Sequence, residues 1–118
     1  MQLKFQLEDD LVCVSTEGRI TQQRIDPSSE PLAGLLGPAV YSRKVLLNLS
    51  NSDYIDSSGV SWLLTCHKRC REAGGMLIIH SPSPMVVQIL RVLRMDQVLT
   101  VADDILQARA LANGTHHE

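Results

Sequence analysis

Residues 45–60 read Val45-Leu46-Leu47-Asn48-Leu49-Ser50-Asn51-Ser52-Asp53-Tyr54-Ile55-Asp56-Ser57-Ser58-Gly59-Val60. The first five form a nearly continuous apolar run, the pattern of a strand covered on both faces and therefore central in its sheet. A polar turn follows, and after Asp56-Ser57-Ser58-Gly59 the apolar residues recur at Val60, Leu63, Leu64 and Cys70. That spacing predicts a helix from Ser57 to Ala73, stopped by Gly74-Gly75. The unit is a buried strand, a short loop and a long helix. In a parallel sheet, the loop beyond the carboxyl end of a central strand is where ligands and partners are met.

Outward from this unit the chain alternates. Leu3, Phe5 and Leu7 share one side of an extended segment, Glu8-Asp9-Asp10 interrupts it and Leu11-Val12-Cys13-Val14 resumes it, predicting an antiparallel hairpin that ends at Gly18. Between Ile20 and Arg43, Pro27, Pro31, Gly34, Gly37 and Pro38 leave room for one short helix near Leu32–Leu36, started by Ser28 or Ser29 with Pro31 in its first turn. Met76-Leu77-Ile78-Ile79 is a second buried strand, Ser83-Pro84 starts a helix bearing Val86, Ile89, Leu90 and Leu93, Val98–Val101 is a final strand, and Asp103-Asp104 opens a last helix. Strands alternating with helices imply crossovers. The expected fold is a single α/β domain over residues 1–112, a mostly parallel mixed sheet of four to five strands opened by an antiparallel hairpin, with a frayed tail at 113–118.

Composition narrows the function. A chain of 118 residues with 44% hydrophobic content suits one core, and its net charge of −2 gives no general attraction for nucleic-acid phosphates or anionic lipid. Four aromatics, Phe5, Tyr41, Tyr54 and Trp62, are too few for a stacking platform. Three cysteines, Cys13, Cys66 and Cys70, do not make a disulfide framework, and no stretch has the length of a membrane span or the form of a signal peptide. The expectation is a cytoplasmic protein with neither a nucleic-acid partner nor direct membrane insertion.

Asp56 or Ser57 can accept hydrogen bonds from the first free amides of the following helix, whose amino end favours negative charge. A serine here is well placed to carry a phosphate, which would add about −1.5 to −2 charge beside Asp56. On spacing alone, the same four residues also read as an ordinary helix cap.

Together, Val45–Leu49, Asp56-Ser57-Ser58-Gly59-Val60, Gly74-Gly75-Met76-Leu77-Ile78-Ile79 and Ser83-Pro84-Met85-Val86 resemble the STAS domain shared by anti-sigma factor antagonists and sulfate-transporter tails. The resemblance covers about Lys44 to Val101. It departs from the family's pattern at Gly18-Arg19-Ile20-Thr21, where a Gly-x-Leu/Ile-Asp element commonly leads into a full helix. It implies that Ser57 is phosphorylated, supported by Asp56, Ser58 and Gly59, and that the partner is an anti-sigma factor that is itself a serine kinase, or a related regulator. It also implies a binding switch with no catalytic residues. The alternatives are a STAS subunit of a transport or signalling scaffold, and a small serine hydrolase.

At 100° per residue, Val60, Leu63, Leu64, His67 and Cys70 share the side of the helix expected to meet the sheet. Ser58, Trp62, Thr65 and Arg69 fall opposite, an expected partner-binding stripe, since tryptophan and arginine often anchor interfaces. The plainer reading packs Trp62 over the neighbouring short helix. Lys68, Arg69 and Arg71 suit the helix's negative end. Cys66, His67 and Cys70 share a face, yet no second ligand pair stands at zinc spacing, so neither a metal nor a cofactor is expected. His80 ends a strand and His116-His117 lie in the tail, leaving Ser57 without an evident base.

Overall fold

A computed structural model describes residues 2–21 and 30–114. Five strands, β1 (Gln2–Glu8), β2 (Leu11–Glu17), β3 (Lys44–Asn51), β4 (Met76–His80) and β5 (Thr100–Ala102), lie side by side in chain order. β1 and β2 pair antiparallel and every later neighbour pairs parallel. The hairpin turn is Asp9-Asp10, with Asp9 left-handed at φ 55°, a conformation a short polar side chain tolerates. The expected mixed, mostly parallel sheet with its opening hairpin is the observed one.

Four helices connect and cover the strands: α1 (Pro31–Leu36), α2 (Ser57–Glu72), α3 (Pro84–Val92) and α4 (Ile105–Ala112). Val45, Leu47 and Leu49 of β3 point into the larger core with Leu63 of α2 and Val86 and Leu90 of α3. Leu46 points the other way, meeting Ile78, Ala108 and Ala112 under α4. β3 is thus buried on both faces, as its nearly continuous apolar run required. β5 starts later than expected, because Met95–Gln97 form a tight helical turn and Leu99 enters the core before pairing begins at Thr100.

Each helix has a readable start. Asp56, Ser83 and Asp104 accept from the amides of Gly59, Val86 and Gln107, satisfying donors that the first helical turn leaves without partners. α1 is capped by Glu30, followed by Pro31; Ser28 and Ser29, the caps expected from sequence, lie outside the described residues, as do His116 and His117 of the tail. At the other end of α2 the chain reverses at Gly74-Gly75. A Cβ on Gly75 would stand 2.2 Å from the Tyr41 carbonyl oxygen, so only glycine admits the tight helical turn Pro38–Ser42 this close.

Glu30 is 1% exposed, and its carboxylate gathers donors from three elements. Oε1 accepts from Leu32 N at 2.6 Å and Trp62 Nε1 at 2.8 Å, with the Cys66 thiol at 3.5 Å. Oε2 accepts from Ala33 N at 2.9 Å and from the Tyr41 hydroxyl. Burial by itself would raise this carboxyl's pKa, but the hydrogen bonds from Tyr41, Trp62, Ala33 and Leu32 outweigh it and hold the group below its ordinary value. The same carboxylate raises the pKa of the Tyr41 hydroxyl, adding to burial, and burial pushes the Cys70 thiol up to about 11.

Replacing Glu30 with Gln is expected to cost about 3 kcal/mol, because an amide nitrogen would then face donors buried without an acceptor. Urea unfolding monitored by Trp62 fluorescence measures it. Glu30's contribution is fully present above its unfolded pKa, near the ordinary 4.5, and is lost as pH falls through the lower folded value. The gap in stability between wild type and Glu30→Gln should therefore shrink on acidification; a gap constant from pH 7 to about pH 3 would contradict it.

Candidate functional site

Between β3 and α2 the chain is held from below by the loop that follows β2. Gly18 N donates to Asn51 O at 3.2 Å, Ile20 N to Tyr54 O at 2.8 Å, and Asp56 N to Ile20 O at 3.3 Å. Ile20 and Ile55 form an isolated parallel bridge, and Thr16 and Ser52 share a buried hydroxyl hydrogen bond of 2.6 Å. The approach is close enough to dictate a residue. A Cβ on Gly59 would lie 2.2 Å from Ile20 O and 2.8 Å from Ile55 Cγ1, so a side chain there would push the loop away from the turn.

Asp56 Oδ1 accepts from Gly59 N at 2.8 Å and from Ser58 Oγ at 2.7 Å. These bonds, the Ser58 hydroxyl first and the Gly59 amide second, hold its carboxyl below the usual range. Asp56 is consequently an anion at neutral pH, complementary to the amino end of α2. Ser57, the first residue of the helix, is exposed, whereas Ser58 is half-buried with its hydroxyl turned to Asp56. The two adjacent serines therefore differ: one hydroxyl is part of the cap and the other stands at the surface.

The exposure expected of Ser58, Trp62, Thr65 and Arg69 is corrected. Trp62 is 0% exposed, and Thr65 and Arg69 are half-buried. The reason is a layer outside α2: the turn at Pro38–Ser42 packs against α2, α1 packs on that turn, and Glu30 accepts from the Trp62 indole. Arg69 lies over the Tyr41 ring at 5.6 Å and donates to its hydroxyl at 3.4 Å; Thr65 Oγ1 donates to Ser61 O at 2.9 Å. Trp62 is instead part of the larger core, in the same apolar cluster as Leu32 of α1. Ser57, Ser61 and Lys68 are exposed and Leu64, expected against the sheet, is half-buried. Leu64 still packs against the core, and the exposed positions that run along α2 from the turn are thus Ser57, Ser61 and Lys68.

Cys66, His67 and Cys70 are buried, and no group of three potential metal ligands occurs among the described residues. His80 is on the opposite face of the sheet, its Nδ1 bonded to Ser81 Oγ at 2.9 Å. Neither histidine hydrogen-bonds Ser57: His80 Nδ1 is engaged by Ser81, and the buried His67 Nε2 has no partner among the described residues. One feature near the turn escapes sequence reading: the Arg19 guanidinium stacks on Tyr54, 4.6 Å from the ring centre, worth about 0.5–1 kcal/mol at an exposed site. Arg19 belongs to the Gly18-Arg19-Ile20-Thr21 segment, whose bridge to Ile55 brings it beside the turn.

The family model of the STAS domain matches residues 3–108. Among solved structures, the anti-sigma factor antagonist SpoIIAA in its unphosphorylated form superimposes with a TM-score of 0.71 at 17% identity, over 96% of this chain and 97% of that one. An anti-sigma factor antagonist from Mycobacterium paratuberculosis gives 0.70 at 18% identity, over 95% and 93%. A STAS domain protein from Planctomyces limnophilus gives 0.68 at 25% identity, over 90% and 93%. No helix among the described residues is long and apolar enough to cross a membrane.

Two substitutions probe the turn. Asp56→Ala is expected to cost about 1 kcal/mol of unfolding free energy through loss of the cap. Gly59→Ala is expected to cost about 2 kcal/mol through overpacking against Ile20 and Ile55. Urea denaturation gives both values, and in Gly59→Ala the amide resonances of Ile20 and Asp56 should shift most. An unchanged Ile20 would contradict the close approach.

Proposed function

The chain belongs to the STAS domain family, and on that premise we propose that it is an anti-sigma factor antagonist-like binding switch, controlled by phosphorylation of Ser57. The observation that carries this reading is the division of labour at the turn. Asp56 and Ser58 are engaged with one another in the cap, while Ser57 is exposed at the first position of α2. A kinase reaches Ser57 without opening the cap. The phosphate it leaves is favoured by the amino end of α2 and opposed by the Asp56 carboxylate. Fold energetics change little, and surface charge changes by about two units.

The partner is a regulator of the anti-sigma factor type that also phosphorylates the chain, and it docks over Ser57, Ser61 and Lys68, with Thr65 and Arg69 at the margin. Unphosphorylated, the surface is bound; phosphorylated, an acidic or closely packed partner is released by charge repulsion and desolvation. Asp56, Ser58 and Gly59 shape the acceptor rather than contribute chemistry. A hydrolytic role is disfavoured by the site itself, since Asp56 is committed to capping and the two described histidines other than the tail pair are buried elsewhere. The setting is the cytoplasm, consistent with three free thiols.

Incubation with a serine-kinase anti-sigma factor and ATP should add one phosphate by intact mass, and Ser57→Ala should abolish the addition. Ser57→Asp should weaken partner binding, measured by calorimetry, by about tenfold or more. Phosphate that persists in Ser57→Ala would overturn the assignment. Binding indifferent to Ser57→Asp would favour a docking subunit of a scaffold over a switch.

A further inference from the structure

The face of the sheet turned away from Ser57 carries a polar row. The register pairs Lys4 with Ser15, Ser15 with Asn48, and Asn48 with His80, so these side chains stand abreast across four strands on the α4 side. The adjacent row on the same face holds Leu46 and Ile78, ordinary core under α4. α4 packs on β3, β4 and β5, and beside it, over β1 and β2, a cleft of about 590 Å³ opens, lined by the whole polar row and by Arg109.

The groups in this cleft have spare hydrogen-bonding capacity. His80 is 4% exposed, its Nδ1 is engaged by Ser81, and its Nε2 has no partner among the described residues. Asn48 Oδ1 accepts from Ser50 N at 2.8 Å, which leaves its amide nitrogen as donor. Arg109 reaches across from α4 to Glu8 at 2.6 Å, and Lys4 pairs with Glu17, itself outside the cleft, at 3.0 Å. Within the lining, two cations face one carboxylate. At about 4.8 Å between strands, Ser15 and His80 stand about 10 Å apart, a span that a six-carbon chain, about 6 Å between its end carbons, covers with its terminal oxygens and the inward reach of the two side chains.

We propose that this cleft is a binding site for a small polyhydroxylated organic anion, with its hydroxyls along Ser15, Asn48 and His80 and its acidic group between Lys4 and Arg109. A site of this kind puts a few convergent polar groups in a concave setting. It is independent of the Ser57 reading, because no residue of the turn takes part. Burial and the Arg109 charge hold the His80 pKa down, with Asp104 opposing them; a bound anion offsets the Arg109 charge and raises it.

The test is an NMR titration of the full chain with gluconate, using sorbitol and inorganic phosphate as controls. Gluconate is expected to give saturable shifts at Ser15, the Asn48 side-chain amide and the His80 imidazole, and to raise the His80 pKa. His80→Gln and Asn48→Ala should each weaken it by about tenfold, with unfolding midpoints recorded to show that both variants are folded; Ser15→Ala, at a half-buried position, serves as a third variant. Sorbitol and phosphate, each lacking half of the recognised chemistry, should bind more weakly by a similar factor. No saturable shift at the row up to about 20 mM gluconate, or equal binding by the folded variants, overturns the proposal.

Discussion

The outer layer of this domain is organised around one buried carboxylate. Glu30 caps α1 through the amides of Leu32 and Ala33, receives the hydroxyl of Tyr41 from the turn at Pro38–Ser42, and receives the indole of Trp62 from α2. An isolated ionised carboxylate inside a protein is costly, and this one is tolerated because its lone pairs are occupied by hydrogen-bond donors. The arrangement is reciprocal. The indole and phenol could not be buried here without an acceptor, and α1, only six residues long, is far too short to be stable in isolation.

That interaction decides which side of α2 is open to a partner. A helix lying on a sheet normally buries one stripe and exposes the rest. Here α2 is covered twice, by the sheet and by the Pro38–Ser42 turn on which α1 packs, so that Trp62, Cys66 and Cys70 are buried together with Leu63. What remains accessible is a narrow strip that begins at Ser57 and runs through Ser61 to Lys68. The geometry of the exposed serine is therefore linked to a glutamate outside the turn, through the helix both of them touch.

The sheet and most helix limits were legible because they follow from local patterns: the apolar run at Val45–Leu49, the aspartate and serine caps, the glycines after α2. Asp56 and Gly59 were legible as parts of the turn, though the reason for Gly59, the Ile20 carbonyl against its Cα, is a contact between segments some forty residues apart and leaves no local signal. Glu30 was not legible. An acidic residue before a proline, in a stretch punctuated by glycine and proline, has the composition of a solvated loop, and its partners are up to 36 positions away in sequence. Missing Glu30 meant misplacing Trp62, since the helical wheel of α2 contains no term for a second layer. The polar row escaped for the same reason: Ser15, Asn48 and His80 are unremarkable singly and become a row only once the register is known.

A rigid turn changes what a modification can do. The backbone around Asp56 is fixed on one side by Ile20 and on the other by its own cap, and a Cβ at Gly59 has no room to enter. A charge added at Ser57 therefore has little conformational freedom to couple to. Its energy goes into the surface potential, and the net charge of −2 on the whole chain is small enough for about two further negative charges to alter that potential substantially. In the proposed switch, discrimination between the two states would then depend on what a partner sets opposite Ser57. The burial of Trp62 against Glu30 leaves that neighbourhood polar and weakly cationic, through Ser61 and Lys68, where an exposed tryptophan would have favoured hydrophobic anchoring. An interface of this composition is governed by charge complementarity more than by apolar burial, and such interfaces respond most strongly to the addition of a single phosphate.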